Sequence, residues 1–138
     1  MTRDMELVRK IMLAIAANER PLDSMMVRIA NYPPEQIGEH IRLLHEARLL
    51  DGNAAMGPDR RQRWSELRLT WWGHDFIECA RNDQIWRIAN EALGPGNGVA
   101  TFEMWRKTLT ESAFLVLGRA PDGSRRERPE EAPEETDP

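Results

Sequence analysis

The sequence predicts a mainly α chain with one small β-hairpin, an α+β fold. Three observations predict it. Apolar residues recur at helical spacing in several segments separated by proline or glycine. Residues Trp64 to Leu69 alternate, with Leu67 and Leu69 on one face and Glu66 and Arg68 on the other, which is a strand with one buried face. A basic loop joins this strand to the end of the preceding helix through a second short strand. Helix, short strand, helix, strand, basic loop, strand is the order of a winged helix-turn-helix-like domain, here with a C-terminal helical extension.

The first helix is expected from Arg3 to about Asn18. Leu7, Val8, Ile11, Met12 and Ile15 form its inward face, and Thr2 is its expected N-cap. Arg20-Pro21 ends it, because proline disfavours α geometry in the residue before it. Met25 to Ile29 is short, apolar and partly β-branched, which predicts a short strand. It occupies the place where the middle helix of a helix-turn-helix usually lies.

The second helix begins at Pro34, whose missing N–H costs nothing at the first helical position, and runs to about Arg48. Ile37, Ile41 and Leu44 form its inward stripe. Leu49 to Asn53 reads as a strand entering a turn, and Ala54 to Gln62 as a loop. Thr70 is positioned to N-cap a third helix with Trp72, Phe76 and Cys79 on one side, and Gly73 permits close backbone packing there. Asn82-Asp83 breaks or bends that helix. Ile85, Trp86, Ile88, Ala89 and Ala92 carry the apolar face onward. Residues Gly94 to Gly98 are expected as a loop, and a last helix carries Phe102, Trp105, Leu109, Ala113 and Val116 before Gly118 stops it. The domain reading is a winged-helix-like core over 1–80, a helical extension packed on it over 81–118, and a disordered acidic, proline-rich tail over 119–138.

Composition narrows the function. The 138 residues suit one ordinary domain. The single cysteine, Cys79, excludes an internal disulfide and a cysteine-type zinc site. A charged N-terminus and the lack of any long apolar run predict neither a secretory signal nor a membrane span, and so a cytoplasmic protein. The net charge is -4, of which -3 falls on 119–138 with 4 Arg against 7 acidic residues. The body is therefore close to neutral, whereas free-standing nucleic-acid binders are usually basic.

Three blocks carry a resemblance. They are Arg3-Asp4-Met5-Glu6-Leu7-Val8-Arg9-Lys10-Ile11; Tyr32 with Ile37, His40-Ile41 and Leu43 to Leu50; and Leu69-Thr70-Trp71-Trp72-Gly73-His74-Asp75-Phe76-Ile77 with Arg81 and Trp86. Over roughly Thr2 to Gly118 the chain resembles an uncharacterised bacterial and phage family, the domain of unknown function DUF2513. The resemblance implies a compact, helical, winged-helix-like domain and brings no activity, cofactor or catalytic residue with it. Where the family usually has glycine this chain has Arg48. Either Arg48 accepts a left-handed conformation at roughly 1 kcal/mol, or the helix ends differently.

No catalytic constellation is expected. His40 and His45 are five residues apart, which points them about 140° away from each other on a helix and away from a shared metal. His40 is expected to border the core and His45 to be solvated. His74 and Asp75 are adjacent and do not face each other. Gly94-x-Gly96-x-Gly98 follows a helix, unlike a dinucleotide fingerprint. The reading is a non-enzyme without metal or cofactor.

The remaining candidate is the basic loop. Arg60, Arg61 and Arg63 lie within four residues, offset only by Asp59. Such a wing suits phosphate contact or insertion into a minor groove. Arg42 and Gln36 would join it from the second helix, although that helix's outward face, Glu35, Glu39, Arg42 and Glu46, is acidic overall and Arg42 can pair with Glu39 or Glu46 on neighbouring turns. Most tryptophans are expected in the core. Trp71 and Trp72 cannot both point inward, and Trp64 is placed either to stack on a base or to shield the wing. Two functions follow from different classes. One is a DNA-binding regulator or phage accessory protein that contacts double-stranded DNA through its wing. The other is a protein–protein interaction or self-association module.

Overall fold

A computed structural model describes residues 3–94 and 100–118. Its elements are α1 (Met5–Ala16), a single 3₁₀ turn (Ser24–Met26), α2 (Pro34–Glu46), β1 (Leu50–Met56), β2 (Gln62–Leu69), α3 (Trp71–Ala80), α4 (Asp83–Leu93) and α5 (Phe102–Leu117). The chain is mainly helical with one antiparallel hairpin, β1–β2. This α+β arrangement is winged-helix-like. The expected 94–98 loop falls mostly, and the tail over 119–138 entirely, outside the described residues.

Each helix starts where its cap chemistry allows. Thr2 lies outside the described residues, and the N-cap of α1 is Asp4. Its Oδ1 accepts from the backbone N–H of Glu6 at 3.0 Å and of Leu7 at 3.1 Å. Thr70, Asn82 and Thr101 cap α3, α4 and α5 in the same way. The Asn82 cap is the physical form of the expected break, since it begins a new helix two residues after α3 ends.

Arg48 accepts the left-handed conformation, with φ 65°. Leu49 N–H bonds to Leu44 C=O at 3.0 Å and Arg48 N–H to His45 C=O at 3.0 Å. This is a Schellman closure with arginine where glycine is favoured, and buried Leu44 and Leu49 supply its usual apolar contact. The helix therefore ends at Glu46, two residues before the expected boundary.

The short strand expected at Met25 to Ile29 is not formed. Pairing occurs earlier, at Leu22, which exchanges both backbone hydrogen bonds with Leu67 at 3.0 and 2.8 Å. The next inviting donor on β2, Trp64 N–H, is taken by Ser24 Oγ at 3.0 Å. The segment turns instead of extending, and a 3₁₀ turn stands where a middle helix would lie. The hairpin is also longer than expected. β1 reaches Met56 and β2 starts at Gln62, so the loop shrinks to 57–61.

β2 contains a bulge. Its register steps from Asp51↔Arg68 to Asn53↔Ser65, one residue more on β2 than on β1. Glu66 takes φ 59° there. The extra residue resets the alternation. Trp64, Leu67 and Leu69 are consequently all buried on the inner side, and Trp64 is core.

The core is continuous across the five helices and both strands, and the 3₁₀ turn lies outside it. Leu7, Ile11 and Met12 of α1 meet Ile41 of α2, Leu67 of β2 and Ile77 of α3, all fully buried. Trp86 of α4 stacks on Trp105 of α5 with centroids 4.7 Å apart, and its Nε1 donates to Glu6 Oε1 at 2.9 Å. Arg9 of α1 donates to Ala80 C=O and to Asp83, which ties the first helix to the α3–α4 junction.

His40 is more than a border residue. It is fully buried, its Nε2 accepts from Asp4 N–H at 2.9 Å, and its Nδ1 meets Gln36 C=O at 2.9 Å. That pairing requires the neutral ring with the proton on Nδ1. His45 is half-buried rather than solvated, since its ring packs on Trp64 at 4.5 Å.

Candidate nucleic-acid interface

The wing tip is built by local turn chemistry. Gly57 C=O accepts from Arg60 N–H at 2.9 Å, and Gly57 N–H donates to Arg61 C=O at 2.8 Å. Pro58 and Asp59 occupy the central positions, and Arg60 follows at φ 65°. A turn followed by one left-handed residue is a common hairpin closure, normally with glycine at that last position. Here an arginine holds it, at the extreme tip.

The wing faces the outer side of α2. Between them and the 3₁₀ turn lies an open groove of about 660 Å³. Four arginines line it from three chain segments: Arg28 after the 3₁₀ turn, Arg42 on α2, and Arg61 and Arg63 on the wing. Glu35, Glu39 and Asp59 line it too. Tyr32 and Ile37 belong to its lining. Of the residues predicted from sequence, Arg42, Arg61 and Arg63 thus share one groove. Arg60 stands exposed at the tip outside it, and half-buried Gln36 is not part of its lining.

Sequence reasoning missed Arg28. Its segment was read as a strand, and nothing in the local pattern marks its proximity to the wing. It also missed the pairing of the wing with α2. Arg61 bonds to Glu35 across the groove at 3.0 Å, both side chains being 61% exposed. Arg63 pairs with Asp59 at 3.1 Å and also reaches Met25 Sδ. Arg42 bridges Glu39 and Glu46 on neighbouring turns. Among the described residues, the side chains of Arg28 and Arg60 form no ion pair.

These contacts hold the carboxylates ionised. The Glu35 carboxyl is pulled below its ordinary value by its own backbone N–H and then by Arg61. Asp59 is lowered by the Arg61 backbone N–H and by the Arg63 charge, and Glu39 by its bond to Arg42. A lowered carboxyl contributes above its ordinary value and is lost as pH falls through the depressed one. The groove's three carboxylates are therefore paired with Arg42, Arg61 and Arg63 at neutral pH.

Other chemistry is sparse. Among the described residues no group of three or more His, Cys, Asp or Glu could hold a metal ion. Cys79 is buried, and burial followed by Asp75 and Glu78 pushes its thiol up to about 11. Trp64 is 6% exposed and held by His45 and Ser24, so it offers no face to a base. The exposed aromatic surface is elsewhere. Trp71 and Trp72, in the first turn of α3, are 77% and 62% exposed, and Trp72 does not join Phe76 and Cys79 inside. Ala92 of α4 is exposed as well. No described helix is long and apolar enough to cross a membrane.

A bulged hairpin closing over an ion-paired helix face, on a core of five helices, defines a winged-helix-like α+β protein. The chain belongs to the family described as Hypothetical protein (DUF2513), whose model matches residues 2–99. The match ends before α5, which narrows the resemblance expected to reach Gly118. An uncharacterized protein of Haemophilus influenzae (strain ATCC 51907 / DSM 11121 / KW20 / Rd) is 26% identical over 87 residues, covering 62% of this chain and 73% of that protein. No solved structure matches the chain.

Proposed function

We propose that this chain is a non-enzymatic, cytoplasmic DNA-contacting regulator or phage accessory protein that leads with its wing. One observation carries the reading: arginines from three separate segments converge on a single groove, with a further arginine at the wing tip. Convergence of cations from distant parts of a chain suits a polyanion better than it suits a merely solvated loop. Exposed ion pairs such as Arg61–Glu35 contribute little to stability, so opening them costs the fold little. The α2 face itself is acidic and does not lead into a major groove. The test is fluorescence anisotropy of labelled random duplex DNA. Replacing Arg60, Arg61 and Arg63 together by Ala should strongly weaken binding, and a triple variant that binds like the native chain would refute the wing reading.

The exposed Trp71–Trp72 pair supports a second reading, a protein-interaction module. Tryptophan pairs left in water are unusual away from interfaces. Capture of partners from nuclease-treated lysate that is lost on Trp71→Ala and Trp72→Ala would favour it, and partners that vanish with the nuclease would remove it.

A further inference from the structure

We infer that the wing is gated by its own carboxylates: Arg28 and Arg60 are standing phosphate contacts, while Arg61 and Arg63 are reserve contacts masked by Glu35 and Asp59. This rests on the DNA reading of the groove and adds its regulation and one further contact residue.

The geometry supports the division. Glu35 and Asp59 place carboxylate oxygens 3.0 and 3.1 Å from the Arg61 and Arg63 guanidinium groups, the positions that phosphate oxygens would take. Glu35 sits at the start of α2, so its bond to Arg61 closes the wing onto the helix rather than along it. Arg28 lines the same groove from the remaining segment, without an ion pair. Arg60 sits at a left-handed position where glycine would be preferred, and its side chain is exposed. A residue held there against its conformational preference is a candidate for function. Duplex DNA reaching the groove first meets Arg60 and Arg28. It gains Arg61 and Arg63 only where phosphates displace both carboxylates. The gate keeps weak encounters weak and lowers non-specific affinity, because a masked arginine releases no counterions.

The salt dependence of anisotropy with random duplex DNA tests this. Each phosphate contact adds about -0.9 to the log–log slope. The native chain should give roughly -1.8. Glu35→Gln with Asp59→Asn removes both charges, keeps one oxygen on each side chain, enough to accept from Arg61 N–H, and unmasks both arginines. It should steepen the slope to roughly -3.6 and tighten low-salt binding by about tenfold. Glu91→Gln with Glu111→Gln, two exposed charges on α4 and α5, is the control for net charge and should leave the slope unchanged. Arg28→Ala should flatten the native slope by about 0.9. A Glu35/Asp59 double variant that behaves like the charge-matched Glu91/Glu111 control, on a native chain that binds, overturns the gate and leaves the DNA reading intact. Absence of binding by both the native chain and the double variant overturns the DNA reading and the gate together.

Discussion

The tip and the base of the β-hairpin differ in that only the base exposes large aromatic surface. At the tip, charges stand in water and are matched within a few ångströms, Arg61 to Glu35 and Arg63 to Asp59. At the base, where β2 runs into α3, one exposed pair, Arg68–Asp51, is accompanied by two tryptophans that stand in water. The difference comes from what each end must satisfy. The tip is a local turn, free to place long side chains where charges meet. The base is a crowded junction of backbones. Gly73 presses so close to the residue before β1 that an added Cβ would lie 2.1 Å from the Leu49 carbonyl oxygen, and Thr70 Oγ1 donates to Arg48 C=O. With Gly73 as the inward residue of the first turn, Phe76, Ile77 and Ala80 follow it at helical spacing and are buried. Trp71 and Trp72 are left on the outer arc.

The largest effect that could break this account is at the base. Gly73→Ala forces backbone against backbone and should cost about 3–5 kcal/mol, whereas Trp71→Ala or Trp72→Ala should move stability by less than about 0.5 kcal/mol. Urea unfolding followed by tryptophan fluorescence and circular dichroism checks the contrast. Equal costs for all three would mean that the tryptophans are part of the core.

His40 gives the next effect. Replacing it by Ala removes the acceptor for Asp4 N–H and opens a cavity between α1 and α2. The expected loss is about 2–4 kcal/mol. His40→Gln, with a side-chain oxygen near the Nε2 position, should recover part of it. A variant as stable as the native chain would show that the Asp4 cap needs no support from α2.

The smallest effects sharpen the comparison most. Arg48 at the base and Arg60 at the tip share the same left-handed backbone, with φ 65° each. Arg48→Gly and Arg60→Gly should each stabilise the fold by about 0.5–1 kcal/mol through relief of that conformation. Only Arg60→Gly should weaken DNA binding. If Arg48→Gly weakened it as well, the cation at the base would belong to the interface, and the interface would span the whole hairpin.

Much of the fold was legible along the chain because it depends on local chemistry. Pro34 at a helix start, Thr70 and Asn82 as caps, Gly118 as a left-handed stop and the helical stripes of α1, α2 and α5 need no distant partner to be recognised. The uniform alternation read over Trp64 to Leu69 was less faithful, because the bulge at Glu66 adds one residue and turns Trp64 inward. The candidate site was legible in part. The run Arg60, Arg61, Arg63 marked a basic loop, and the helical spacing of Glu39, Arg42 and Glu46 anticipated their bridging. Arg28 was not legible, since only the path of the chain between α1 and α2 brings it to the wing.

By itself, then, the sequence determined the helices, the hairpin, the cysteine chemistry and the composition of the wing, all of which follow from neighbours within a turn or a strand pair. Tertiary structure decided the pairing of Leu22 with Leu67, the masking of Arg61 by Glu35 and the exposure of Trp72. Each of these joins residues from different elements or depends on their packing. The choice turns on which backbones can approach and which charges then fall within about 3 Å, a distance that sequence separation does not encode.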